Sequence, residues 1–378
     1  MGDKVGILVI RLNIYWYCGQ RENKLTIWSY KIVKKNNKLL LMVAWSMLSL
    51  GLLISIYLIF STAIDGYCIW GKDKINFELT GQFGDFFGGV VGTFFALTGT
   101  LLIFFNFNEQ TKQNKKEGFE AKFYEMLRLH KENINEIHVN NKKGREAIEY
   151  LIKSLHTLFN EVESAVDQLI TLKNSNTYDY LSPQILLQIK NYLSNETQRK
   201  LLTHRLSYGY FFYSVQKYYI TKDRNNIIYA INLFVNQTIE SNRLNVSEDP
   251  DLSVNIHYNA LLGHYFRHLY QMIKLVANEK ILDEDEKYEF TKIVRAQLSD
   301  NEQILLYYNS LSIMGEKWIT PLHEKQKEKM CFIARFKLIK NIPYYFNYFG
   351  MKPGNLFEIE KEALEKKGDS FFETNLDV

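Results

Sequence analysis

Two long stretches without a single charged side chain dominate what this chain can fold into. Leu39 to Ile64 is a run of 26 uncharged residues and Phe86 to Asn108 a run of 23. As helices rising ~1.5 Å per residue, both exceed the ~30 Å hydrocarbon thickness of a bilayer. A polar loop separates them, so the pair reads as a transmembrane hairpin with spans at about 39–64 and 85–108. Buried core helices explain the spacing less well. A cleaved signal peptide fits poorly, because the first run starts late and exceeds the usual apolar length.

Charge sets the expected orientation. Residues 1–38 hold eight Lys/Arg against two acids, residues 39–108 two against four, and residues 109–378 hold 36 of each. Lys31, Lys34, Lys35 and Lys38 precede the first span and Lys112, Lys115 and Lys116 follow the second. The loop between them has only Lys72 and Lys74 beside Asp65, Asp73 and Glu78. The positive-inside rule places both termini in the cytoplasm and makes the chain multi-pass. Tyr67 and Trp70 suit the outer interface. Residues 1–30, broken by Arg11 and Asn13, read as a peripheral segment or tail. The balanced charge beyond residue 109 argues against generic nucleic-acid binding. Cys18, Cys68 and Cys331 form no C-x-x-C motif and no even disulfide set, so a reduced compartment is the default for the soluble part. Gly6 stands where an N-myristoylation signal needs Ser or Thr.

The second span carries a pattern of its own. Gly84, Gly88, Gly92, Ala96 and Thr100 recur every four residues and line one face of a helix. In lipid, small side chains let a second backbone approach closely. The first span, with Ser46, Gly51 and Ser55, is the simplest partner, and a homo-oligomer seam is the sharper one. Asp85 is expected at the head of this helix, complementing its dipole. A role for it in an ion pathway would require polar residues deeper in the span.

Beyond the membrane, Phe119, Phe123, Met126, His130, Ile134 and Ile137 follow helical spacing, so the second span should continue into the cytoplasm. Further helices read at about 144–172, 183–194, 196–221, 224–244, 252–281, 284–298, 300–314 and 319–340. Breaks are expected at Asn174–Asn176, Ser182–Pro183, Ser247–Asp251 and Ile342–Pro343. Ser299 with Glu302 and Asp283 with Glu286 have capping-box spacing. No strand alternation persists. The expected fold class is all-α: a basic segment over 1–38, a hairpin over 39–108, a helical domain over 109–350 and a tail over 351–378.

Candidate site residues are fewer. His257, His264 and His268 share one helical face with Arg267 and Tyr270 beside it. A His pair at i, i+4 can chelate a transition metal, yet no Glu completes an H-E-x-x-H motif and no third ligand is evident, so no metal is assigned. Arg267 lies among Leu261, Leu262, Phe266 and Leu269 and must reach solvent, an acid or a ligand phosphate. Glu302 is the acid expected to pair with it. Arg295 and Ser299 precede Glu302 in a second block. Arg199 and His204 have the spacing of the Arg and His in ribonuclease toxins of the HEPN class, where Arg would stabilise a phosphorane and His would move a proton. Lys200 departs from the Asn-like residue usual after that Arg, and surface chemistry explains the pair better. The chain has no phosphate loop, nucleophile elbow or kinase signature, and nothing calls for a cofactor.

Gly81-Gln82-Phe83-Gly84-Asp85-Phe86-Phe87-Gly88-Gly89-Val90-Val91-Gly92-Thr93, then Gln110 and Lys122 through Leu127 to His130, resemble the start of the phage abortive-infection proteins of the AbiC type. Gly263 through Tyr270 and Arg295 through Ser299 with Glu302 look like two later blocks of that family. The resemblance covers roughly residues 40–345. It implies a bacterial protein of the cytoplasmic (inner) membrane that limits phage propagation by arresting the infected cell, in response to a phage-derived trigger. It implies no particular chemistry. The alternative it leaves open is a membrane-tethered RNA-cleaving toxin using Arg199 with His204, or Arg267 with His264.

Overall fold

The computed structural model describes residues 24–64, 77–172, 180–220 except 216 and 219, 226–244, 258–320 and 331–373 except 367. Cys18, Cys68, Tyr67, Trp70, His257 and the breaks expected at 174–176 and 247–251 lie outside them. The described chain is almost wholly helical and divides into two compact units between Ala121 and Lys122.

The first unit contains α1, Lys24–Ile64, and most of α2, Phe77–Asn135. Residues 24–30, read from sequence as part of a peripheral segment, belong to α1. Among the described side chains of the two apolar runs, Ala44 and Gly51 of α1 and Val91 and Thr98 of α2 are buried, with Leu48, Ser55, Leu58, Phe87, Phe94, Leu101 and Phe105 among the half-buried positions. Ala44 with Gly51 and Val91 with Thr98 are each seven residues apart, the spacing of a heptad seam. Gly51 is a contact point: a Cβ there would lie 3.2 Å from Cβ of Phe94. The outer surface remains apolar, with Leu53, Ile56, Phe60 and Ile103 all more than 60% exposed. Both helices are long and apolar enough to cross a membrane. A helix apolar on its outward face has no favourable surface to offer water, so the pair points to membrane association.

Two expectations for this unit change. The glycine stripe does not pack on α1, because its positions fall outside the seam: Gly84, Gly88 and Gly92, with Ala96 on the same face, are exposed, and nothing lies within 4 Å of a Cβ at any of the three glycines. Nor is Asp85 at the head of its helix. α2 starts at Phe77, placing Asp85 about 12 Å along the axis, beyond the first turn to which the dipole effect is confined. Glu78 is the acid in that turn.

In the second unit the stripe at the end of α2 is buried as its spacing requires, with Phe123 and His130 at zero exposure. A short hairpin follows, His138–Val139 with Lys142–Lys143, turned by Asn140 and Asn141 at positive φ. Asn tolerates that conformation, and two such residues make the turn that suits a hairpin. The sequence reading lacked this element because its strands are only two residues long. Next come α3 (Arg145–Thr171), α4 (Pro183–Leu193), α5 (Glu196–Tyr213), α6 (Ile227–Leu244), α7 (Asn259–Asn278), α8 (Glu284–Gln297) and α9 (Asp300–Leu311). Their starts follow local chemistry. Ser182 and Asn195 cap α4 and α5, and both expected capping boxes form, at Asp283/Glu286 and Ser299/Glu302. α3 is the hub, packing on α5, α6 and α9.

The C-terminal part departs further from expectation. Within 331–340 the only helix is α10, Phe332–Phe336, stopped by Lys337 in the left-handed conformation. Its carbonyl accepts from Arg295 and its ammonium pairs with Asp369. The segment after 350, expected as a tail, carries α11 (Pro353–Leu356) and α12 (Glu358–Glu365) and buries Phe357 and Phe371.

Candidate functional site: a buried polar cluster around Glu302

Glu302 has no exposed surface. Its position follows from the capping box: at the third position of α9, its Oε2 accepts the Ser299 amide at 2.8 Å while the Ser299 hydroxyl accepts the Glu302 amide at 3.3 Å. Two further groups converge on the carboxylate. Tyr265 of α7 donates its hydroxyl to Oε1 at 3.3 Å, and Arg145, first residue of α3, brings Nε to 3.4 Å of Oε2. Arg145 also donates to the Gln297 carbonyl at 2.9 Å. A buried carboxylate needs such donors, because an ion left unpaired in the interior costs several kcal/mol. Burial first, and then the negative charge of Glu302, holds the Tyr265 phenol well above its ordinary pKa. Tyr265 therefore remains a donor at any physiological pH.

Behind Tyr265 lies His130 of α2. The rings are 5.1 Å apart, and His130 stacks on His268 at 6.1 Å with planes 8° apart. Neither nitrogen of His130 has a hydrogen-bond partner among the described residues. Burial, with a smaller contribution from the charge of His268, lowers its pKa to about 4, so its ring is neutral in the cell. His268 uses Nε2 to donate to the Met126 carbonyl at 2.8 Å, fastening α7 to α2.

The sequence-predicted residues divide around this cluster. Ser299 and Glu302 belong to it. Arg267 does not: it is exposed, and Arg145 takes the place at Glu302 expected for it. His264 is exposed one turn before Arg267. Tyr270 is half-buried in a ring cluster with Trp318 and Phe332, at 5.2 and 5.5 Å. Arg295, nearly buried, donates to the Lys337 carbonyl at 3.2 Å and lies over the Tyr288 ring, a bracing position for the C-terminal segment. Among the described residues no three His, Cys, Asp or Glu side chains gather as metal ligands.

Arg199 and His204 are not brought to a common site. Arg199 pairs with Asp167 at 3.3 Å on the surface. His204 is buried among Phe159, Tyr308 and Phe349, accepts the Met351 amide on Nε2 at 3.0 Å, and has its pKa pushed by burial to about 3. A ring so enclosed and bonded is a packing element.

Residues 257–346 match the family described as "Putative phage abortive infection protein". The resemblance holds over that stretch. It contains α7, α8 and α9, hence Tyr265, His268, Arg295, Ser299 and Glu302, whereas His130 and Arg145 come from outside it. The match supports a general role in defence against phage. No curated protein and no solved structure matches the chain.

Proposed function

We propose that this chain is a membrane-anchored antiphage protein of bacteria. In this reading α1 and α2 cross the cytoplasmic membrane with both termini inside, the helical unit responds to a phage-derived trigger, and the hairpin arrests the cell. The observation that carries it is α2 itself: one helix supplies the glycine-bearing face at one end and His130 at the other. A trigger that altered the packing of Tyr265 or His268 around His130 would act directly on the helix that enters the bilayer. Two spans cannot line a pore alone, so harm to the membrane would require several hairpins to associate. The open stripe of Gly84, Gly88, Gly92 and Ala96 offers them close packing.

The RNA-cleaving alternative finds no support at Arg199 and His204. It is left with His264 and Arg267, exposed one turn apart on α7. A phage challenge of cells expressing the intact gene, followed for membrane potential and RNA integrity, separates the readings. Depolarisation with intact RNA is the expected result. RNA loss before depolarisation would favour the nuclease. Full protection by a variant lacking residues 39–108 would overturn the membrane mechanism.

A further inference from the structure

A second polar cluster lies away from Glu302, on α5. Arg205, Gly209 and Tyr213 are spaced four apart and share one face of that helix. The Tyr218 ring lies flat on this face where Gly209 lacks a side chain; a Cβ there would fall 1.9 Å from the ring, so only glycine admits it. Tyr218 also stacks on Tyr213 at 6.1 Å and meets Tyr210 edge-on at 5.9 Å. Its backbone is fixed as well, because Asn232 of α6 donates to its carbonyl at 3.3 Å.

This well-held phenol is only 6% exposed, yet its hydroxyl has no hydrogen-bond partner among the described residues. The same is true of Nε of Arg205, one turn before Gly209, and among the described residues no carboxylate lies within ion-pair distance of that guanidinium. Burial pushes the Tyr218 phenol up to about 12, and the positive charge of Arg205 works against that rise. Leaving buried donors unmet is unfavourable, and a guanidinium near a phenol hydroxyl is a donor set for an oxyanion. Arginine, with several N–H groups in one plane, suits phosphate oxygens in particular.

We propose that Arg205, with the hydroxyl of Tyr218, forms a binding site for a phosphate group. The site does not depend on the antiphage reading, since it is argued from donors that lack acceptors. Free phosphate, a nucleotide and a lipid headgroup carry the same chemistry, and the test distinguishes them.

The full-length protein, purified in a non-ionic detergent and a phosphate-free buffer, is titrated with inorganic phosphate, with ATP and with a short-chain phosphatidylglycerol below its micelle concentration. Thermal midpoint and calorimetric heat are followed together. At least one probe should stabilise the protein saturably, and the tightest names the source. Tyr218→Phe should weaken that probe roughly tenfold, the effect of one lost hydrogen bond to a charged group, while leaving the unliganded midpoint unchanged or higher. Arg205→Gln should abolish binding; if it fails to fold, Arg205→Lys, which keeps the charge but loses the planar fork, should bind measurably more weakly. The proposal is overturned if no probe gives saturable stabilisation. It is equally overturned if Tyr218→Phe binds as tightly as the parent, for then water alone meets these donors.

Discussion

His204 and Gly350 are in such close contact that a Cβ on Gly350 would lie 2.2 Å from Nε2 of the imidazole. The same nitrogen accepts the amide of the next residue, Met351, and Phe349 on the other side stacks on Tyr308 with ring centroids 4.1 Å apart. Tyr307 holds the Met351 carbonyl at 2.5 Å. Three consecutive residues are thus gripped by α5 and α9, and Gly350 passes the gap at φ +71°.

Replacing Gly350 with alanine should destabilise the helical unit by about 2 to 4 kcal/mol, combining a left-handed backbone with overpacking. Denaturant unfolding measures it. Combining Gly350→Ala with His204→Ala should cost less than the sum of the two, because the clash is removed with the ring. Strict additivity would show that the contact does not hold in solution.

The cluster around Glu302 predicts a rank order. Glu302→Ala removes the reciprocal cap and leaves the buried Tyr265 hydroxyl unmet, a loss of about 2 to 4 kcal/mol. Arg145→Ala should cost about 1 kcal/mol, since the guanidinium is 62% exposed and screened while Glu302 keeps its other donors. Arg267→Ala, at the surface, should stay within about 0.5 kcal/mol. If Arg267→Ala proves the most destabilising, Arg267 and not Arg145 is the partner of the buried acid.

Acid should weaken the helical unit through His130 and His204. Their folded pKa values, about 4 and about 3, lie below the ~6.5 of an unfolded histidine. As pH falls from about 6.5 towards 4, the unfolded chain therefore binds more protons than the folded one, and stability falls. Above 6.5 this contribution is fully present and flat. His130→Phe should reduce the slope of thermal midpoint against pH between 6.5 and 4.5; an unchanged slope would mean that His130 is protonated as easily folded as unfolded.

Much of this architecture could be read from local spacing. The two long apolar helices, the apolar stripe from Phe119 to Ile137 and both capping boxes are set by residues close in sequence, and all appear in the structure. What failed involved distant pairings. Arg145 reaches a carbonyl 152 positions away and the acid beyond it, so no local pattern could select it over Arg267, which is nearer in sequence and points to solvent. His204 looked reactive beside Arg199 because spacing carries no record of burial. The glycine stripe was correctly seen as one face, but which face meets α1 depends on the seam of Val91, Phe94 and Thr98, whose larger side chains gave no comparable signal.

That seam makes the stripe testable in a way the sequence did not allow. Gly88 and Gly92 point away from α1 with nothing within 4 Å, so Gly88→Leu with Gly92→Leu should leave the hairpin intact and inserted, leucine being favourable in the bilayer. Gly51→Leu is the opposite case, because its side chain would enter the seam against Phe94 and separate α1 from α2. If hairpins associate through the stripe, the double variant should run as a monomer in cross-linking and lose phage protection, while its helix content by circular dichroism matches the parent. Gly51→Leu should lose protection together with helix packing. Full protection from the double variant would leave the stripe as a lipid-facing surface with no part in the arrest of the cell.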